Sequence, residues 1–155
     1  MIKTSLILCG GKGTRLKKRL QDSPKILAKI KGIPFLHYQL KWLEEQEIKK
    51  VFLLTKYKSS QISKYINNNF KKYNLRIEVI KEKKFCGTGG AIKNFYTLKK
   101  INSHCLILNG DTYFNIKNIS NYYKFHIKNN FLVSIGAAKI SNADRYGGIK
   151  KKYGY

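Results

Sequence analysis

The sequence lacks any long apolar run. No stretch of its 155 residues approaches the ~20 apolar residues that a membrane-spanning helix needs. The N-terminal segment, MIKTSLILCGG, has one lysine and an apolar stretch shorter than the ~7–15 residues of a signal peptide. We therefore expect a cytoplasmic protein with no membrane partner. The length suits one domain with a real core and is too short for two.

Cysteine is also scarce, with three residues that lie far apart in the chain. Cys9, Cys86 and Cys105 show neither the spacing of a metal site nor the even number of a disulfide framework. Each of them stands beside apolar residues. We therefore expect three buried, reduced thiols without a redox or catalytic role.

Acidic residues are few. The chain has 8 Asp and Glu against 32 Lys and Arg, which gives a formal net charge of +24. Clustered lysines neutralise phosphates, so one interpretation is a nucleic-acid partner. The lysines are spread along the whole chain, however, together with many Asn and Ile, as an AT-biased genome produces. We favour this compositional interpretation over nucleic-acid binding, and it leaves open a surface that attracts nucleoside triphosphates.

Short apolar runs alternate with segments of helical period. The runs are rich in Ile, Leu and Val, as strands buried on both faces are, and they cover residues 5–9, 50–55, 76–80, 104–109 and 132–137. Helices are predicted at 34–48, 59–70, 89–100 and 119–130, with Pro34 in the first turn of the first helix. This alternation predicts an α/β fold with helices on both sides of a mostly parallel sheet.

The residues that follow the first predicted strand, GGKGTR, are free of large apolar side chains. In open parallel sheets, ligands bind beyond the carboxyl ends of the strands. The glycines let backbone N–H groups approach anion oxygens, and Arg15 adds a fork of donors that matches phosphate. The loop fits neither the dinucleotide fingerprint nor the Walker pattern. Taken alone, it is also compatible with a plain turn.

Three later segments strengthen the phosphate interpretation. Lys25 follows a proline in a polar segment, GTGGAI opens the third predicted helix, and Asp111 ends the fourth predicted strand. A carboxylate at a strand end suits a magnesium ion beside phosphates, although an Asp there is often only a turn former or a helix cap.

Together these segments resemble the sugar-1-phosphate nucleotidyltransferases. The match is carried, in the family's order, by LCGGKGTRL (8–16), SPKIL (23–27), GIPFLHYQLKWLEEQEI (32–48), GTGGAI (87–92), LNGDTYF (108–114) and DRYGGI (144–149). The last three look most like the D-glycero-D-manno-heptose 1-phosphate guanylyltransferases, with mannose-1-phosphate guanylyltransferases close behind. The resemblance implies a Rossmann-like three-layer sandwich over residues 1–155, as the N-terminal portion of a nucleotidyltransferase domain.

The resemblance also implies a reaction. A nucleoside monophosphate, expected to be GMP, passes from an NTP to a heptose-type or mannose-type sugar 1-phosphate in surface-polysaccharide synthesis. Arg15 and Lys25 would be catalytic, Asp111 would hold Mg²⁺, and Tyr146 and Gly147 would contact the sugar. The nucleotide would lie against Cys9, Gly10, Gly11, Gly13, Thr14, Glu82, Gly87, Thr88, Asn109 and Gly110.

Glu82 is the candidate for choosing the nucleobase, because the family's base-contacting side chain falls at about its position. A carboxylate can accept hydrogen bonds from both N1–H and N2–H₂ of guanine, whereas thymine and uracil present a single N–H on the corresponding edge. An equally good interpretation is that Glu82 is a solvated member of the charged run KEKK.

Two features depart from the family pattern. Phe85 and Cys86 replace the Pro-Leu that commonly precedes the second glycine loop. The chain also ends before the region in which family members carry a second magnesium-binding aspartate and further strands. We therefore expect a chain that lacks its C-terminal part, whether as a truncated gene product, the product of a split gene or a fragment. An inactive or regulatory nucleotide-binding fragment is the alternative to an enzyme. Its exposed sheet edge would suit a homo-oligomer or a complementing C-terminal fragment.

Overall fold

The computed structural model describes residues 1–11, 23–84, 86–101, 103–114 and 116–138. Its longer strands are β1 (Thr4–Cys9), β4 (Lys50–Thr55), β5 (Arg76–Lys81) and β6 (Cys105–Asn109), and a small hairpin is formed by β2 (Lys29–Ile30) and β3 (Ile33–Pro34). The helices are α1 (Phe35–Glu45), α2 (Ser59–Asn69), α3 (Gly87–Lys99) and α4 (Ser120–Lys128). No helix within the described ranges is long and apolar enough to cross a membrane.

The main sheet has four strands in the order β5-β4-β1-β6. All three pairings are parallel, and their register aligns Cys9 with Thr55 and Thr55 with Lys81. Strand β1 lies inside the sheet, and its middle residues Leu6 and Ile7 are fully buried. The predicted α/β class with a parallel sheet is confirmed.

Alternate residues of the strands pack into two separate parts of the core, because successive side chains of a strand point to opposite faces of the sheet. On one face, Ile7 and Leu53 pack with apolar residues of α1 and α2. On the other face, Leu6 and Phe52 pack with Ala91 and other residues of α3. These two cores make the three layers of the predicted sandwich.

Helix α1 forms because Leu36, Leu40 and Leu43 recur at helical spacing and are all fully buried. The Trp42 Nε1–H donates to the Ile116 carbonyl across 3.0 Å, which joins the helix to the segment before α4. Pro34 was predicted in the first helical turn, but it has the extended ψ of 139° and precedes the helix. Its backbone pairs with Lys29 in the hairpin instead.

The predicted strand at 132–137 is wrong: the structure assigns it no strand. Leu132, Val133 and Ile135 are 99%, 74% and 79% exposed, although the pattern predicted burial on both faces. A strand exists only through hydrogen bonds to a neighbour, and this segment joins neither sheet of the described chain.

Leu53→Ala tests whether the sheet interior carries the stability of this fold. Leu53 is fully buried, so its truncation should lower the free energy of unfolding by about 2–5 kcal/mol through lost apolar burial and a residual cavity. Urea denaturation monitored by circular dichroism measures the change. Leu98→Ala is the control, because Leu98 is 64% exposed and its truncation should cost little. Equal losses in both variants would contradict the core described above.

Candidate functional site

The carboxyl ends of the four parallel strands meet at one edge of the sheet, and a cavity of about 210 Å³ lies there. Strands β1 and β6 supply most of its floor. The end of β1 contributes the predicted site residues Cys9, Gly10 and Gly11, and the end of β6 contributes Asn109, Gly110 and Asp111. Residues that are far apart in the chain therefore line one concave surface.

The opposite wall comes from the segment between β5 and α3, and Lys25 closes a third side. Predicted site residues Glu82, Gly87 and Thr88 line this wall. The structure thus brings together most of the residues predicted for the site. The predicted residues Gly13, Thr14, Arg15, Tyr146 and Gly147 lie outside the described residues.

Two glycines of the floor have close neighbours. A Cβ on Gly110 would lie 2.7 Å from the backbone oxygen of Leu8 and 3.2 Å from the Ile26 side chain. A Cβ on Gly10 would lie 2.8 Å from Glu82 Oε2. The amide of Gly110 donates to the Leu8 carbonyl across 3.0 Å. Gly110 thus lets the ends of β1 and β6 approach each other more closely than a residue with a Cβ allows, whereas a Cβ at position 10 would displace only the end of the Glu82 side chain.

Lys25 and Asp111 form an ion pair, with 2.6 Å between Nζ and Oδ2. Lys25 begins a short 3-10 turn whose next residue, Ile26, is buried and anchors it. Asp111 follows the end of β6. Both side chains are partly exposed, so the pair contributes little to stability. The pair places a cation and a carboxylate at one point of the cavity.

The N-terminal end of α3 points its first turn at the cavity, since Gly87 and Thr88 both line it. Free N–H groups and the helix dipole make such an end favourable for anions. Gly87 has a φ of +67°, which glycine adopts without strain. Cys86 precedes this turn and is exposed, and Cys105 is only partly buried, so the prediction that all three cysteines are buried is confirmed for Cys9 alone.

Glu82 extends β5 by one residue into the cavity, where its amide donates to the Thr55 carbonyl across 2.8 Å. Its Oε1 is buried and has no hydrogen-bond partner among the described residues. Burial therefore raises the pKa of the Glu82 carboxyl, and the positive charge of Lys56 opposes that rise. A buried acceptor without a partner is costly unless something donates to it, so Glu82 is a candidate ligand contact rather than a solvated charge.

Cys9 lies at the floor of the cavity as a neutral thiol. Burial raises the pKa of Cys9 far above its ordinary value, and the negative charge of Glu82 raises it further. Its Sγ–H donates to the Ile7 carbonyl across 3.4 Å. A thiol that stays protonated is a poor nucleophile, so the structure agrees with the expectation that Cys9 has no catalytic role.

Gln39 supports the site but was not predicted from the sequence. It is buried on α1, and its Nε2 donates to the carbonyls of Asn109 and Thr112 across 2.9 and 3.0 Å. These two bonds fix the turn that carries Asp111. The available signal was a polar residue between Leu36, Leu40 and Leu43 on the apolar face of the helix, since such residues are normally hydrogen-bonded when buried.

Apolar side chains of Leu8, Ile26, Leu54 and Ala91 complete the lining. The described residues contain no group of three or more His, Cys, Asp or Glu that could hold a metal ion. Asp111, the residue predicted to hold a metal, lines the cavity, and a metal held by it would take further ligands from substrate or water. Such a donor set fits Mg²⁺, which is commonly held by one or two carboxylates with phosphates and waters.

Comparison with known proteins agrees with this geometry. Residues 4–154 match the family described as Nucleotidyl transferase. The chain is 38% identical over 145 residues to the D-glycero-alpha-D-manno-heptose 1-phosphate guanylyltransferase of Campylobacter jejuni, covering 94% of this chain and 62% of that protein. Identity to the enzyme of the same name from Aneurinibacillus thermoaerophilus is 33%, covering 94% and 61%.

A solved structure is similar as well. HddC from Yersinia pseudotuberculosis, complexed with GMP-PN, superposes with a TM-score of 0.68 and 34% identity, covering 84% of this chain and 55% of that one. The chain therefore spans little more than half to three fifths of the length of the relatives that it matches.

Gly110→Ala tests the close approach of β1 and β6 at the cavity floor. The new Cβ would meet the Leu8 backbone oxygen, and backbone is hard to move, so overpacking should lower the free energy of unfolding by about 1–3 kcal/mol. Gly89→Ala is the control, because nothing lies within 4 Å of its Cβ position and alanine favours the helix by up to about 1 kcal/mol. Urea denaturation compares them, and a neutral Gly110→Ala would show that the strand ends are looser than described.

Proposed function

Because this chain belongs to the Nucleotidyl transferase family, as its motifs predict, we propose that it binds GTP with Mg²⁺ and transfers GMP to a sugar 1-phosphate of the heptose or mannose type. The products are a GDP-sugar for surface-polysaccharide synthesis and pyrophosphate. The observation that carries this proposal is the convergence of four strand ends on one cavity that holds a cation, two carboxylates and two glycine-rich turns. Because nucleoside triphosphates are cytoplasmic metabolites, the reaction belongs to the cytoplasm.

The proposed reaction joins two polyanions, so the site must neutralise charge. An oxygen of the sugar 1-phosphate attacks the α-phosphorus of GTP. A new P–O bond forms as the bond from the α-phosphorus to the bridging oxygen of the β-phosphate breaks, and the electron pair leaves with pyrophosphate. The attacking phosphate is already ionised at neutral pH, so no general base is required. Positioning and charge stabilisation supply the catalysis.

Cationic and dipolar groups of the described chain suit this task. Lys25 would contact the α-phosphate and the sugar phosphate. Its ion pair with Asp111 means that the Lys25 ammonium and the Asp111 carboxylate lie at the same point of the cavity. The amides of Gly10 and Gly11 and the N-terminal turn of α3 would bind phosphate oxygens. Arg15 is proposed to bind the departing pyrophosphate, and Gly13 and Thr14 to complete the phosphate loop.

Mg²⁺ is proposed to bind at Asp111, with phosphate oxygens as its other ligands. When bound, the ion would offset phosphate charge in the site. Lys25 would then exchange its contact with Asp111 for contacts with phosphate. Asp111 is kept in position by the turn that Gln39 holds.

Tyr146 and Gly147 are proposed to contact the sugar. The names of the guanylyltransferases from Campylobacter jejuni and Aneurinibacillus thermoaerophilus and the GMP-PN complex of HddC support the choice of substrates.

Pyrophosphate release and calorimetry test this function. The chain with Mg²⁺ should bind GTP, and pyrophosphate should appear when heptose 1-phosphate or mannose 1-phosphate is added. Lys25→Ala should lower kcat/KM by roughly 10²–10³-fold, the usual effect of removing one charge-stabilising donor. Lys71→Ala is the matched control, because it removes a lysine that lies in the turn after α2 and away from the cavity lining. GTP binding without pyrophosphate release would indicate a nucleotide-binding module instead of an enzyme.

Glu82→Gln tests the choice of base. We propose that both carboxylate oxygens accept from guanine, one from N1–H and the other from N2–H₂. An amide cannot accept both bonds, so the preference for GTP over UTP and dTTP should fall by roughly tenfold or more, on the scale of a hydrogen bond to a charged group. Competition binding with the three nucleotides measures the preference. An unchanged preference would remove Glu82 from base recognition.

A further inference from the structure

The strand ends beside the cavity place three residues in one row. Cys9, Thr55 and Lys81 are aligned across β1, β4 and β5. The next residue of each strand continues this alignment beyond the sheet, and these residues are Gly10, Lys56 and Glu82. By strand alternation, all three fall on the face that α3 covers. By strand order, position 56 therefore lies between positions 10 and 82 along this row.

Lys56 is hydrogen-bonded to the residue that follows Glu82 and lies near Gly10. Its Nζ donates to the Lys83 carbonyl across 2.6 Å, and so it ties the end of β4 to the turn that follows Glu82. Its Cβ lies 3.7 Å from the position of a Cβ on Gly10, and Glu82 Oε2 lies 2.8 Å from the same position. A Cβ at position 10 would therefore be in ordinary contact with Lys56 but would require the Glu82 carboxylate to move.

The backbone that carries Lys56 is held by a buried polar network. Thr55 is fully buried, and its Oγ1 contacts Ser59 Oγ at 2.7 Å and donates to the Ile80 carbonyl across 3.1 Å. The Glu82 amide donates to the Thr55 carbonyl. These bonds fix Lys56 and Glu82 relative to each other before any ligand binds, and such support is what a precise recognition site needs.

The charges around Glu82 explain why Lys56 affects its ionisation. Cys9 contributes a neutral thiol from β1, and Lys25 and Asp111, which also line the cavity, form an ion pair with each other. Lys81, Lys83 and Lys84 belong to the same segment as Glu82. Among the described residues, Lys56 is a cation whose charge favours the ionised form of Glu82 against the effect of burial.

We propose that Lys56 is a positioning residue of the nucleobase site: it holds the turn after Glu82 through the Lys83 carbonyl and keeps the Glu82 carboxylate negatively charged. This inference rests on the proposed role of Glu82 in reading guanine. A protonated Glu82 would present a hydroxyl toward guanine donors and would lose one of its two acceptors. Lys56 therefore sets the pH range over which the chain distinguishes GTP from other nucleotides.

The first test is an NMR titration of the free protein with ¹³C-labelled glutamate, in which the Glu82 signal is assigned by its loss in Glu82→Gln. Lys56→Met should move the Glu82 titration to higher pH, and Lys56→Arg should leave it close to that of the wild type. Lys81→Met is the matched control: it removes a lysine adjacent to Glu82 that points to the other face of the sheet. An unchanged titration in Lys56→Met, or an equal shift in Lys81→Met, would overturn the role of Lys56.

The second test is nucleotide binding across pH. Lys56→Met should reduce the GTP/UTP affinity ratio at neutral pH by roughly tenfold, the scale of one lost hydrogen bond to a charged group, and it should move the pH at which this ratio falls upward. Lys56→Arg should restore both properties. An equal loss of GTP and UTP affinity would place Lys56 on the phosphates and overturn the inference.

The two tests separate the inference from the function on which it rests. Failure of the wild-type chain to bind GTP would overturn the proposed function and with it the assignment of this row to a nucleobase. Normal GTP binding, together with a Glu82 titration and base preference that do not respond to Lys56→Met, would overturn the inference alone.

Discussion

Parallel pairing of β1 with a strand on each side is the constraint on which this structure depends. Strands β4 and β6 are its neighbours, and β5 extends the same arrangement. Parallel strands end at the same edge of a sheet, so the four segments that follow them must meet. The cavity is therefore a consequence of strand direction and register, while its side chains decide which ligand it can take.

Because acidic residues are few in this chain, those that line the cavity are informative about its function. The chain has 8 acidic residues and a net charge of +24, and two of those acidic residues, Glu82 and Asp111, line the cavity. Negative side chains oppose the binding of a polyanion unless each has a partner. Asp111 has Lys25 at 2.6 Å, and Glu82 has Lys56 as its source of positive charge. Asp111 thus has a paired cation, whereas Glu82 has an oxygen without a hydrogen-bond partner among the described residues, which is consistent with separate roles toward a metal ion and a base.

Much of the fold could be predicted from the sequence, because short runs rich in Ile, Leu and Val form buried strands wherever a neighbouring strand pairs with them. The predicted strand 50–55 agrees with β4, and the helices agree within a few residues. The same pattern failed at 132–137, because composition does not report whether a partner strand is present. The burial of Cys86 was wrongly predicted for a similar reason. Apolar neighbours in the sequence do not report whether a residue is covered in the fold, and Cys86 lies exposed at the N-terminal end of α3.

The sequence by itself determined the α/β class, the positions of the glycine turns and the chemical types of the site residues, because these depend on local pattern and on residue identity. Only the tertiary structure decided which of these residues touch. The Lys25–Asp111 pair, the support that Gln39 gives to the turn at Asp111, and the row of Gly10, Lys56 and Glu82 join segments that are remote in the chain. Such contacts follow from strand order and register, and these are set by packing of the whole sheet rather than by any local stretch of sequence.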